Sequence, residues 1–157
     1  MWEIKNHVHR VGDKMIFIIL TTIILGICAY TDLKGKYIYT WVCGISCMGA
    51  IIAHAIMKDI TIKNLGLGVL IGTVAFIVSI VTKEKFGRGD AWMVVTVGAL
   101  EGGMFQIPVL IWTLIFFNIY AISGIGLKFF NLKSKLPLVP FAFVANVLVA
   151  VLTGGKL

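Results

Sequence analysis

The sequence predicts an all-α integral membrane protein, a bundle of six transmembrane helices, and three observations lead to this fold class. Of the 157 residues, 59% are hydrophobic and only 13% are charged, whereas a soluble domain carries about 25% charged residues. Long apolar stretches approach the ~20 residues that a helix needs to cross a bilayer. They lack the short alternating pattern of membrane β-strands. A water-soluble domain and a disordered chain are therefore excluded.

Charged residues mark the limits of the first three predicted helices. A basic tail, residues 1–14, precedes the first apolar stretch. We expect this stretch to be a retained helix and not a cleaved signal peptide, because Ile27-Cys28-Ala29-Tyr30 lacks a small residue at its first position. Lys36 and Lys58 enclose the second stretch, and Lys63 and Lys83 enclose the third. The first three helices are predicted at about residues 15–31, 37–57 and 64–82.

The last three helices are predicted at about residues 90–105, 107–128 and 136–153. The fourth has a short apolar run between Asp90 and Glu101, so we expect the other helices to surround it. The fifth ends at Lys128, and Pro137 accompanies the start of the sixth. A chain of 157 residues allows one domain, so residues 1–157 are predicted to form a single membrane-embedded domain.

Successive crossings put three predicted connections, residues 31–36, 82–90 and 128–137, on one side of the membrane, here called the Asp32 face. Positive residues favour the cytoplasmic side, and eight of the 14 Lys and Arg residues fall on the Asp32 face. These eight are Lys34, Lys36, Lys83, Lys85, Arg88, Lys128, Lys133 and Lys135. The Asp32 face is therefore predicted to be cytoplasmic. The clustered cations fit contact with lipid headgroups and not a nucleic-acid surface.

Asp32 and Asp90 are the candidate catalytic residues. Both lie on the Asp32 face, at the ends of two helices that can pack side by side. Two carboxyl groups close to one water cannot both ionise cheaply, so one keeps its proton. The ionised group can then act as a base on the water while the protonated one polarises a peptide carbonyl. Gly87 and Gly89 precede Asp90 and permit close approach of another backbone.

These motifs resemble the type IV prepilin peptidases, a family that includes the archaeal preflagellin peptidases. The resemblance covers about residues 15–153. Asp32-Leu33 is similar to the first Asp motif of the family, and Gly87-Arg88-Gly89-Asp90 to its Gly-x-Gly-Asp motif. Leu136-Pro137-Leu138-Val139-Pro140-Phe141 is similar to the Pro-x-x-Pro-Phe that opens the last helix. The chain departs from the family at Ile38-Tyr39-Thr40, where Ile-Pro-Asn is common, and at Trp92, where Lys is common.

The resemblance implies a membrane aspartic endopeptidase of the Gly-x-Gly-Asp type. It would cleave the leader peptide of type IV prepilin-like or preflagellin-like precursors at the cytoplasmic face of a prokaryotic plasma membrane. Asp32 and Asp90 would be catalytic, and Gly87, Gly89, Pro137 and Pro140 would position the substrate. No N-methyltransferase activity is expected, because the chain lacks the paired Cys-x-x-Cys insertion of the bifunctional members. No metal or organic cofactor is implied, and no nucleic-acid partner.

Three alternatives remain open at this level. A presenilin-like intramembrane peptidase also uses Gly-x-Gly-Asp. A small transporter could use Asp32 and Asp90 as ion or proton sites. A non-catalytic pilus-assembly scaffold would fit the altered residues Tyr39, Thr40 and Trp92. Glu101, His54 and Asn146 are interpreted as structural hydrogen-bonding groups within the bundle.

Overall fold

In the computed structural model, residues 2–35, 40–57, 60–82, 87–126 and 137–154 are described. Within these segments every regular element is an α-helix, and there are six. In chain order they are α1 (Trp2–Gly35), α2 (Thr40–Met57), α3 (Ile62–Val81), α4 (Arg88–Glu101), α5 (Gly103–Gly126) and α6 (Val139–Thr153). The all-helical fold agrees with the fold class predicted from the sequence.

Four segments in the described part of the chain are long and apolar enough to cross a membrane: Met15–Gly35, Thr40–Met57, Ile62–Val81 and Gly103–Gly124. α6 is apolar but has 15 residues, and α4 has 14. The chain has several apolar helices, and many of their apolar side chains are exposed. This combination is typical of a multi-pass membrane protein. The described helices therefore support an integral membrane protein.

Several helix ends in the described segments differ from the predictions: α1 continues to Gly35 through most of the predicted connection 31–36, and α5 begins at Gly103 and not near residue 107. α1 begins at Trp2, well before the predicted start at residue 15. α4 ends at Glu101 and not near residue 105, because Gly102 has a φ of +79° and interrupts the helix. Asn64 of α3 stabilises the break, since its Oδ1 accepts a hydrogen bond of 2.8 Å from the backbone N–H of Met104. The chain then continues directly into α5.

Some predictions concern residues outside the described part of the chain. These are the predicted starts of the second and sixth helices, the predicted end of the fifth, and the altered residue Tyr39. The cytoplasmic face was predicted from the positions of the lysines and arginines, and most of these residues also lie outside the described part of the chain. They are Lys36, Lys58, Lys83, Lys85, Lys128, Lys133, Lys135 and Lys156.

α4 occupies the centre of the bundle and packs against α1, α2, α3 and α5. Nine of its 14 residues are buried, in agreement with the expectation that the other helices surround it. The contact with α3 is made by glycines. A Cβ atom added at Gly72 would lie 2.6 Å from Cα of Val95, and one at Gly68 would overlap the carbonyl oxygen of Gly98. The backbones of α3 and α4 can approach this closely because the glycines have no side chains.

A buried polar cluster joins α1, α4 and α6. Glu101 is 6% exposed, and its carboxyl group is hydrogen-bonded to Thr21 and Asn146. The Asn146 amide lies between the Glu101 oxygens, each at 3.2 Å, and the Thr22 hydroxyl at 3.1 Å. His54 is also buried, with Nε2 3.1 Å from the carbonyl oxygen of Leu100. These contacts confirm the structural interpretation of Glu101, His54 and Asn146.

Candidate active site

Asp32 lies in the last turn of α1 and is 8% exposed. Its carboxyl group accepts a hydrogen bond from the backbone N–H of Val139, the first residue of α6. The Oδ2 atom of Asp32 is buried and has no hydrogen-bond partner in the described part of the chain. A buried carboxylate oxygen normally has a partner, so this atom is available to a water or a substrate group.

Asp90 is half-buried at the third residue of α4. The preceding Gly87 is the N-cap of this helix, and its carbonyl oxygen accepts a hydrogen bond of 3.1 Å from the N–H of Ala91. The Asp90 carboxyl folds back over Gly87. A Cβ atom added at Gly87 would lie only 2.8 Å from Asp90 Oδ2. Glycine therefore leaves the space that the Asp90 side chain uses.

A shared hydrophobic cluster brings the two carboxyl groups to the same end of the bundle. Cys28 and Ala29, one turn before Asp32, pack in one cluster with Met93 and Val94, one turn after Asp90. α1 therefore ends where α4 begins. Asp32 and Asp90 are near enough for the charge of one to act on the other. The structure thus brings the two predicted catalytic residues together.

The predicted positioning residues occupy different places around these carboxyl groups. Gly87 contacts Asp90, as described, and Gly89 is a half-buried residue in the first turn of α4. Pro137 and Pro140 flank the start of α6, with Pro140 immediately after Val139. The two prolines therefore lie beside the backbone group that contacts Asp32.

Trp92, where the family commonly has Lys, belongs to the contact between α3 and α4. Its ring packs edge-on against Phe76, with the ring centroids 5.6 Å apart. The substitution therefore contributes an aromatic contact between helices. It leaves both Asp32 and Asp90 in place.

Two groups near the site were missed by the sequence analysis. The first is the backbone N–H of Val139, which has no side-chain signature, although Pro140 indicates a helix start there. The second is the hydrogen-bonded pair of thiols formed by Cys28 and Cys43, one turn from Asp32.

In the described segments, no three His, Cys, Asp or Glu side chains gather as a metal site would require.

Comparison with known proteins identifies one family. A model of the type IV leader peptidase family matches residues 19–154. This range contains Asp32, Asp90 and the four predicted positioning residues. No significant match was found among curated proteins or among solved structures.

Proposed function

Because the chain belongs to the type IV leader peptidase family, we propose that it is an integral-membrane aspartic endopeptidase with Asp32 and Asp90 as its catalytic pair. The family supports a protease that acts on a precursor in a membrane. The proposal goes further in three respects. The protease is of the Gly-x-Gly-Asp type, and Asp32 and Asp90 are its catalytic residues. The segment that it cleaves is the leader peptide of a prepilin-like or preflagellin-like precursor.

One observation carries the assignment of the catalytic pair. Asp32 and Asp90 come from helices far apart in sequence, yet they meet at one end of the bundle above a common hydrophobic cluster. Burial of two interacting carboxyl groups is unfavourable for stability, and such groups in membrane proteins are typical of functional sites. The unpartnered Oδ2 of Asp32 points to a polar ligand, and water is the ligand that peptide hydrolysis requires.

The proposed chemistry follows from a pair that shares one proton. The ionised carboxylate takes a proton from the water as the water oxygen attacks the scissile carbonyl carbon. The protonated carboxyl group donates its proton to the carbonyl oxygen. When the tetrahedral intermediate collapses, the C–N bond breaks and the leaving nitrogen receives the proton held by the first carboxyl group. One hydroxyl group of the intermediate returns its proton to the second carboxylate as the C=O bond of the product forms. The pair then shares a single proton again, ready for another cycle.

The proposed topology places this pair at the cytoplasmic surface of a prokaryotic plasma membrane, with all six helices crossing or entering the bilayer. A precursor with a short basic leader followed by an apolar helix could then dock that helix in the membrane. Its leader junction would meet Asp32 and Asp90 at the surface. Gly87 and Gly89 would allow its backbone to approach, while Pro137 and Pro140 would shape the opposite side.

The test is processing of a co-expressed prepilin-like precursor, scored by gel shift, with wild type, Asp32→Asn and Asp90→Asn. Asparagine keeps the size of each side chain and removes the ionisable group. We expect wild type to cleave the precursor and each variant to lose more than about 1,000-fold in rate, as when essential acid–base groups are removed.

Membrane fractionation and a thermal melt of each purified variant are the controls for folding. Residual processing above about one per cent of wild type in either folded variant would contradict the two-carboxyl mechanism. If wild type cleaved none of a panel of prepilin-like and preflagellin-like precursors, the scaffold and transporter alternatives would be favoured.

A further inference from the structure

We propose that the apolar helix of the precursor docks in a groove between α2 and α3, on the side of α4 that carries Trp92. This inference rests on the proposed function and assigns the place in which the substrate helix is held. The observations behind it are the arrangement of α2 and α3 around α4 and the open space beside Gly44.

α2 and α3 are consecutive helices that both pack along α4, yet they share no extended contact with each other in the part of the chain that the structure describes. The buried residues of each helix are spaced so that they lie on a single side. They are Cys43, Ala50 and His54 in α2, and Gly68, Gly72 and Ser79 in α3. Each helix therefore presents one narrow face to α4, and a groove remains between the two.

The contacts of α2 show that it runs parallel to α4. The Thr96 hydroxyl donates to the carbonyl oxygen of Cys43 at 3.3 Å, and Nε2 of His54 lies 3.1 Å from the carbonyl oxygen of Leu100. Residue numbers thus increase together along the two helices. α2 therefore begins at the end of the bundle at which α4 begins, which is the end that carries Asp90.

α3 runs in the opposite direction along α4. Gly68 lies against the backbone of Gly98, and Phe76, farther along α3, packs edge-on against Trp92 with the ring centroids 5.6 Å apart. α3 therefore ends near the Asp90 end of the bundle. The short connection from α2 to α3 lies at the other end, so the two helices are joined there and the groove opens toward Asp90.

α4 forms the floor of the groove. Each residue of a helix turns by about 100°, so Trp92 and Ala99 lie on one side of α4, between Val95, which meets α3, and Thr96, which meets α2. Ala99 is 0% exposed and packs in one cluster with Ala50 of α2, whereas Trp92 is only half-buried. The floor is therefore covered at Ala99 and accessible at Trp92, about 10 Å farther along α4.

Gly44 leaves space on the α2 wall of the groove. Viewed from the Asp32 face, residues of α4 and of the parallel α2 succeed each other clockwise, because α-helices are right-handed. Thr96 follows Val95, so α2 lies clockwise of α3 around α4. From α2, α3 therefore lies clockwise of α4, and Gly44 lies clockwise of Cys43, which faces α4. A Cβ atom at Gly44 would meet nothing within 4 Å.

The occupant that fits this groove is the beginning of an apolar helix whose preceding segment reaches the Asp32 face. The walls and floor are mainly apolar, and the accessible part has the length of about two helical turns. Side chains on the described helices that line it are Cys47 and Ile51 of α2, Val69 and Phe76 of α3, and Trp92 of α4.

The groove continues into the candidate active site. Trp92 and Asp90 are two residues apart, so their side chains leave α4 on opposite sides. Gly89 lies between them and has no side chain. An extended segment that precedes the docked helix can therefore cross the first turn of α4 at Gly89 and reach the two carboxyl groups. This path gives the order expected of a precursor, with the scissile bond before the apolar helix.

The first test is photocrosslinking in the full-length protein in membranes. p-Benzoylphenylalanine replaces Gly44 or Gly49 in the Asp32→Asn background, together with a co-expressed, epitope-tagged prepilin-like precursor. Both glycines belong to α2 and both have open space around an added Cβ atom, but Gly49 is turned away from the groove. We expect an adduct of enzyme and precursor from position 44 and its loss at position 49.

Absence of this adduct at position 44, equal adducts at both positions, or a crosslink at 44 only between two copies of the chain would overturn the inference. Processing by wild type that is lost in Asp32→Asn would still support the proposed function in each of these cases. A wild type that cleaves no precursor, with an adduct still formed at position 44, would contradict the proposed function and leave the docking site intact. The two failures are therefore distinguishable.

The second test separates binding from chemistry. Gly44→Trp fills the groove without touching Asp32 or Asp90, so the KM for the precursor should rise about 10-fold with little change in kcat, as for a loss of binding alone. Gly49→Trp adds the same side chain elsewhere on α2 and should keep the wild-type KM. Thermal melts of both variants check their folding. An unchanged KM in folded Gly44→Trp would also overturn the inference.

Discussion

Asp32 and Asp90 occupy opposite ends of their own helices, which has electrostatic consequences for each side chain. Asp90 lies in the first turn of α4, where the helix dipole favours a negative charge. Asp32 lies in the last turn of α1, where the dipole of its own helix opposes one. The N-terminus of α6 compensates, because the Val139 N–H donates to Asp32. Asp32 therefore depends on a neighbouring helix in a way that Asp90 does not.

The contact between Gly87 and Asp90 leads to a prediction at this scale. In Gly87→Ala the new methyl group would lie 2.8 Å from Asp90 Oδ2 and would push the carboxyl group away. The backbone of Gly87, at φ −58° and ψ 136°, suits alanine. We expect a loss of kcat of about 10-fold or more, as for a displaced catalytic group, with a melting temperature close to that of wild type.

Processing kinetics and a thermal melt on the same preparation measure the two effects. Gly49→Ala is the matched control, since a Cβ atom at Gly49 meets nothing within 4 Å. An active Gly87→Ala protein with wild-type kcat would show that the Asp90 carboxyl does not need the space over Gly87.

The contact between α3 and α4 shows how a single element depends on glycine. α4 carries Asp90 at its start, and α3 supports the following turns through Gly68 and Gly72. α3 contains three glycines, at positions 66, 68 and 72. Which of them face α4 depends on the rotation of α3, and Gly66 of the same helix faces open space.

Substitution of Gly68 should therefore separate the two helices. Its new Cβ atom would overlap the carbonyl oxygen of Gly98, which is backbone and cannot turn aside as a side chain can. We expect Gly68→Ala to lower the free energy of unfolding by about 1–3 kcal/mol, the usual cost of overpacking. Unfolding in mixed micelles measures the change.

Gly66→Ala is the control on the same helix, because it adds an identical methyl group that meets nothing. Equal stability of the alanine variants at 66 and 68 would contradict the tight packing of α3 against α4.

At the scale of the whole molecule, α1, α4 and α6 are joined at two levels. Near one end, Asp32, Asp90 and Val139 meet above a shared cluster. Farther along the bundle, Glu101 and Asn146 form the buried polar cluster with Thr21 and Thr22. The same three helices that hold the candidate active site are therefore connected again at a distance from it.

The polar cluster predicts a difference between two substitutions of Glu101. Glutamine keeps the size of the side chain and can donate and accept hydrogen bonds, so Glu101→Gln should remain within about 1 kcal/mol of wild type. Alanine leaves a cavity and removes the partner of Asn146, so Glu101→Ala should lose about 2 kcal/mol or more. Unfolding in mixed micelles measures both, and equal losses would show that the hydrogen bonds of Glu101 do not stabilise the bundle.

The sequence by itself determined the helical membrane class, the approximate positions of the helices, and the pairing of Asp32 with Asp90 on one side. These features depend on the order and length of apolar stretches, and an odd or even number of crossings decides which ends meet. The described helices agree with the all-helical class, and the hydrophobic cluster beneath the two carboxyl groups agrees with their pairing.

Only the tertiary structure decided how the two carboxyl groups differ. The donor to Asp32 is a backbone N–H from α6, more than 100 residues away in sequence, and the space for the Asp90 side chain is the missing Cβ of Gly87. The early end of α4 likewise depends on the φ of Gly102 and on Asn64 of α3. A backbone donor, a missing Cβ atom or a contact between distant helices has no residue pattern in the sequence. Such features are therefore defined only by the packing of the helices in the tertiary structure.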